Sequence, residues 1–226
     1  MKTIVIAGCS WGAGEWNAND ITHSGLAEYF LKDGFNVVNL SQPNTGPWQL
    51  LKTLHNFIKI NKNFLNIQHV FFLQSDIARD FEEFQHKITW HHTLNLENNI
   101  KRIYRQFYIH LNFVGKDCQT TIQLIGGLAD LILDYKNEFK YLNFLIPSWT
   151  KLIDHTISSV FLLKVDKIPE GIKNNNKEEL ITLVDQSLTR FKIFDKNKEY
   201  FWPDGCHPNR SGHYVLYNAI KTNLNL

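Results

Sequence analysis

Short, mostly apolar runs alternate along this chain with longer stretches in which apolar residues return every three or four positions. "TIVIAG", residues 3–8, is a β-branched run that closes on glycine. A strand with one wet face would alternate apolar and polar residues, so an unbroken run predicts a strand buried on both faces, as in parallel sheets. "FNVVNLS" (35–41), "HVFFLQ" (69–74), "TTIQLIGG" (120–127) and a shorter "YLNFLIPSW" (141–149) are read as further strands. The glycine pair Gly126 and Gly127 is read as a tight exit from the fourth run, with a pocket-lining role as the alternative.

Helical spacing fills the intervals. After a Gly-rich loop, "HSGLAEYFLKDG" (23–34) carries Leu26, Tyr29 and Phe30 on one face, with Gly34 placed to stop the helix. "GPWQLLKTLHNFIKI" (46–60) has Pro47 where a first helical turn tolerates it. A longer amphipathic helix is expected from Leu96 to Val114, and a last one from about Ser211. "NNNKEELITLVDQSLTRFKIF" (174–194) opens with an Asn-rich loop and early glutamates, which is helix-start chemistry.

Strands alternating with helices predict an α/β protein of three layers, α/β/α, with a mainly parallel sheet and right-handed crossovers. No repeat, low-complexity tract or linker divides the chain, and 226 residues suffice for one sizeable core, so residues 1–226 are expected to form a single domain.

Composition removes several function classes. A net charge of +2 without any dense Lys/Arg block argues against nucleic acid or a membrane surface as partner. The basic residues of "NIKRIYRQF" (99–107) read as the wet face of a helix. The apolar opening run is too short for a signal peptide or membrane span and no other window approaches one, so a cytoplasmic protein with no membrane span is expected. Cys9, Cys118 and Cys206 are odd in number and lack metal or redox spacing, which speaks against a disulfide framework.

Candidate chemistry sits at the two ends of the chain. In open parallel sheets, function collects beyond the carboxyl ends of the strands. The first strand runs into "GCSWG", which puts Ser10 in a loop between Gly8 and Gly12. Near the C-terminus, "FWPDGCHPNRSGHYVL" (201–216) places Asp204 and His207 three residues apart just before the final helix. If that helix packs beside the first, a hydroxyl, an imidazole and a carboxylate share one edge.

These two blocks, "GCSWG" and "DGCHPNRSGH", resemble those of the SGNH, or GDSL-like, hydrolases, and the resemblance runs in order from one end of the chain to the other. It implies an SGNH hydrolase-like fold of flavodoxin-like topology. It also implies a serine hydrolase that cleaves an ester (a carboxylester, O-acetyl sugar or thioester) through an acyl-enzyme on Ser10. His207 would accept the Ser10 proton, and Asp204 would hold the imidazole in the productive tautomer. An oxyanion hole would use the Ser10 N–H, a donor after the second strand and a donor after the third. For the second donor Gly46 and Asn44 are both available. After the third strand, "LQSDIARDF" lacks the family's asparagine: Ser75 occupies its slot if Asp76 matches the following aspartate, and Gln74 offers a longer amide next door.

Other residues leave readings open. Cys9, where the family often carries aspartate, is either a small buried apolar group or a rival nucleophile. His86, His91 and His92 form no recognised ligand set, so no metal and no cofactor are expected. Arg79 is read as pairing with a substrate anion or, as the expected role, with Asp80 in a structural ion pair, and His213 is expected to pack or face solvent. Trp11, Trp16 and Trp48 lie near the loops, where they shape a pocket or simply pack. The partner implied is a small-molecule, glycan or lipid ester. The alternative is a non-catalytic acyl- or glycan-binding domain on the same scaffold.

Overall fold

A computed structural model of the chain describes residues 1–17, 20–43, 45–74, 96–126, 137–146 and 207–226. Five strands build the main sheet: β1 (Lys2–Gly8), β4 (Asn36–Asn39), β5 (Asn66–Leu73), β6 (Ile122–Ile125) and β7 (Leu142–Ile146). They run parallel in the order β4-β1-β5-β6-β7. Two short strands, β2 (Glu15–Asn17) and β3 (Asp20–His23), form a separate antiparallel pair. The helices are α1 (Ser10–Ala13), α2 (Leu26–Lys32), α3 (Pro47–Asn61), α4 (Leu96–Cys118) and α5 (Arg210–Leu224).

The unbroken apolar runs explain the layering. Along β1, Ile4 and Ile6 point to one face and Val5 and Ala7 to the other, and all four are fully buried. Val5 and Ala7 share a core with Leu50, Leu54 and Ile58 of α3 and with Phe107, Tyr108 and Leu111 of α4. Ile4 and Ile6 share the opposite core with Leu26 and Phe30 of α2 and with Leu216 and Ile220 of α5. The result is the expected three-layer α/β/α arrangement, with strand periodicity of two inside and helical periodicity outside.

Helix ends follow local chemistry. Pro47 opens α3 where its missing N–H is harmless. The Asn209 side chain accepts the Gly212 N–H at 3.0 Å and caps α5, and Asn225 closes that helix in the left-handed conformation at φ 52°. α5 is then tied to the end of α2: Tyr217 Oη and Lys221 Nζ both donate to Asp33 Oδ2, at 2.7 and 2.8 Å.

The elements differ from the sequence expectation in detail. The stretch after the first strand holds a single helical turn and then the β2–β3 pair, and α2 starts at Leu26 rather than near His23. Gly25 at φ +58° is the physical stop: no side-chain-bearing residue takes that conformation cheaply, so the helix cannot extend upstream of it. β5 begins at Asn66, where the ladder with Lys2 of β1 starts, ahead of the apolar run. The helix expected within 174–194 lies outside the described residues. Among the described residues, no helix is long and apolar enough to cross a membrane.

Candidate active site

Sheet order locates the site. The chain moves from β1 outward to β4 and then crosses back to β5 on the other side of β1. Connections leave in opposite directions there, opening a crevice beyond the carboxyl ends of β1 and β5. Ser10 begins α1 two residues after the end of β1, and Gln74 follows the end of β5. The register Gly8↔Leu73 sets these two exits side by side. The strands approach closely: a Cβ on Gly8 would lie 2.9 Å from Leu73 Cβ, so only glycine fits.

Both ends of the chain meet at this crevice. His207 Nε2 lies 2.9 Å from Ser10 Oγ across 197 residues of sequence. That is hydrogen-bond distance between a hydroxyl and a ring nitrogen. Ser10 itself is 6% exposed and His207 half-buried, which keeps bulk water from competing along most of the contact. Asp204 lies outside the described residues, as do Ser75, Asn44, Asp76, Arg79, Cys206, Gly127 and the His86, His91 and His92 group. Among the described residues no group of three or more His, Cys, Asp or Glu side chains is arranged to hold a metal.

The loop after β4 is fastened to the serine turn. Gln42 N–H donates to Gly8 O at 2.8 Å, and Asn39 Nδ2 donates to Gly12 O at 2.9 Å while its Oδ1 accepts from Ser41 N–H. Gly46 follows in that loop as the buried N-cap residue of α3. Within the serine turn, the Gly12 and Ala13 N–H groups are both committed to Cys9 O. Cys9 is buried in the core shared with Val5 and Leu50 and so packs as a small apolar group.

Gln74 has the most informative environment of the candidate donors. Its Oε1 accepts from Tyr108 Oη of α4 at 3.3 Å, and its backbone N–H donates to Ile125 O. Its Nε2 is buried and has no hydrogen-bond partner among the described residues. A buried amide donor without an acceptor costs about 1–3 kcal/mol, so this nitrogen is available to an acceptor that enters the crevice.

Sequence reasoning missed the groups that hold the two loops together. Glu15, buried at the start of β2, accepts the Arg210 backbone N–H at 2.7 Å and Arg210 Nε at 3.0 Å. His213 of α5 is fully buried against Gly25: a Cβ there would stand 2.9 Å from its ring. Burial pushes the His213 imidazole down to about 4. The neighbouring Gly14 backbone opposes the shift, His23 adds to it, and Glu15 weakly opposes it. No sequence signal pairs Glu15 with Arg210 or Gly25 with His213. Trp48 and Trp11 pack against the α3–α4 core, and the Trp16 side chain lies outside the described part of the structure. A groove of about 840 Å³ runs between α3 and α4 past Trp48, His55 and His110, and its lining includes neither Ser10 nor His207.

No family model and no curated protein matches the chain. Among solved structures, it is similar to a lipase/acylhydrolase from Enterococcus faecalis at 15% identity and a TM-score of 0.42, covering 99% of this chain and 95% of that one. A psychrotrophic esterase, EstA, from Pseudoalteromonas sp. aligns at 12% identity and a TM-score of 0.44 over 99% of both chains. An acetylxylan esterase, Axe2, from Geobacillus stearothermophilus aligns at 11% identity and a TM-score of 0.40, covering 100% of this chain and 94% of that one.

Proposed function

We propose that this chain is a serine hydrolase of the SGNH type that cleaves an ester through an acyl-enzyme on Ser10. One observation carries the reading: the 2.9 Å contact between Ser10 Oγ and His207 Nε2 at the switch point of a parallel sheet. A serine hydroxyl is a weak nucleophile until a base takes its proton, and an imidazole at that distance is such a base. In acylation, Ser10 Oγ attacks the ester carbonyl while His207 Nε2 receives the proton. The imidazolium then protonates the leaving alkoxide. Water, deprotonated by the same nitrogen, hydrolyses the acyl-enzyme in the second half. Asp204, three residues before His207, is the proposed partner that fixes the tautomer.

The tetrahedral oxyanion needs donors that are in place before charge develops. The Ser10 N–H, the Gly46 N–H and Gln74 Nε2 are the proposed set. Gln74 is favoured over its neighbour Ser75 because its amide nitrogen is buried and unpartnered while Tyr108 holds the oxygen end. The substrate is a small-molecule, glycan or lipid ester. The site is proposed to act without metal or cofactor.

A fluorophosphonate probe tests the reading on wild type and Ser10→Ala. Wild type should be labelled and the variant not, and turnover of short p-nitrophenyl esters should fall by about 10⁴–10⁶. Equal labelling of both proteins would remove Ser10 from the role. Inactivation by iodoacetamide that tracks Cys9 would transfer the role to the thiol. Binding of an acyl ligand with neither labelling nor hydrolysis would make the chain a binding domain.

A further inference from the structure

The contact between Ser10 and His207 joins segments almost a whole chain apart, so something must fix their relative position to within a fraction of an ångström. We infer that Glu15 is the positioning residue for this pair, acting through Arg210. Glu15 lies five residues after Ser10, and Arg210 three residues after His207. The Glu15 carboxylate accepts three hydrogen bonds from Arg210: the backbone N–H at 2.7 Å, Nε at 3.0 Å and a terminal guanidinium nitrogen at 3.4 Å. The Glu15 side chain is only 8% exposed, whereas that of Arg210 is 59% exposed.

The backbone bond matters most. Arg210 is the first residue of α5, and its N–H belongs to the helix start that follows His207 through Pro208 and Asn209. An N–H in the first turn has no partner within its own helix. Glu15 supplies one, and its negative charge suits that end of a helix dipole. The rest of the turn docks on α2 and its N-cap: Tyr29 Oη donates to Arg210 O at 2.9 Å, and His213 lies beneath Gly25. Glu15 thereby ties the turn that carries the hydroxyl to the turn that carries the imidazole, without touching substrate itself.

This inference rests on the Ser10–His207 reading, and the test separates the two. Misplacing a reacting group by about 1 Å costs up to ~10²-fold in rate. Glu15→Ala removes all three bonds and should lower kcat on a p-nitrophenyl ester by about 10–100-fold, with KM changed less than about twofold. Glu15→Gln keeps an acceptor at the same reach and should retain kcat within about threefold, although it lacks the charge. Glu15→Asp keeps the charge but is one methylene too short, and should lose more kcat than Glu15→Gln; this comparison decides the matter if Glu15→Ala does not fold. All measurements are made well below each variant's Tm, where a role in stability alone leaves kcat untouched. Wild-type kcat in both Glu15→Ala and Glu15→Asp, beside an inactive Ser10→Ala, overturns the inference and leaves the function standing. A Ser10→Ala protein that labels like wild type overturns both.

Discussion

The pH dependence of stability offers a quantitative test of how α5 is packed. His213 is fully buried and its imidazole is pushed down to about 4, chiefly by burial. In the unfolded chain it returns to the ordinary value of 6.5. Between those values the unfolded state binds a proton that the folded state refuses. The stabilisation is therefore complete above pH 6.5, declines as the pH falls, and is gone below about 4. Working through the two values gives a loss of about 2 kcal/mol by pH 5, rising to about 3 kcal/mol below the folded-state value. Against a typical total of about 5–15 kcal/mol, that is a large fraction. Urea unfolding at pH 8 and pH 5 of wild type and His213→Phe measures it. Phenylalanine is crowded under Gly25, but that penalty is the same at both pH values and cancels in the difference. His69, which burial also pushes down, and the paired carboxylates Glu28 and Asp33 are present in both proteins and cancel too. Wild type should lose about 2 kcal/mol more than the variant between the two pH values. Equal losses would show that the imidazole is not shielded in the fold, and the account of α5 docking would fail with it.

Two further outcomes follow from the site and its supports. Gln74→Ala should lower kcat by about 10²–10³-fold with KM little changed, because the donor acts on charge that exists only in the transition state; steady-state kinetics that leave kcat intact would exclude it from the oxyanion hole. Gly25→Ala should lower stability by about 1–3 kcal/mol in urea unfolding. Its backbone sits at φ +58° and the added Cβ would meet His213 at 2.9 Å and Gly14 Cα at 3.0 Å, so a neutral result would contradict that geometry.

Parts of this protein are legible without coordinates. The apolar runs Ile4–Ala7 of β1 and Val70–Leu73 of β5 announce strands covered on both faces, because side chains pointing either way are buried there and apolar ones are buried at least cost. The heptad-like return of Tyr104, Phe107, Tyr108, Leu111 and Val114 announces the buried stripe of α4 for the same reason. Ser10 and His207 stand out because small residues and a rigid proline flank them in loops. The β2–β3 pair is not legible: its strands are three and four residues long, too short to establish a period. The support for proposing Gln74 as a donor is equally hidden, since it comes from Tyr108 on another helix, which holds the oxygen end of the amide.

What the sequence determines by itself is local: which segments bury a face, where helices can start and stop, and which reactive groups sit in turns. What only the tertiary structure decided is coincidence in space. The sheet order opens a crevice between β1 and β5, and α5 returns to it so that His207 reaches Ser10, with Glu15 gripping the first turn of that helix. Hydropathy and turn chemistry act over a few residues, whereas these contacts span some 195 positions and arise from packing two cores onto opposite faces of one sheet.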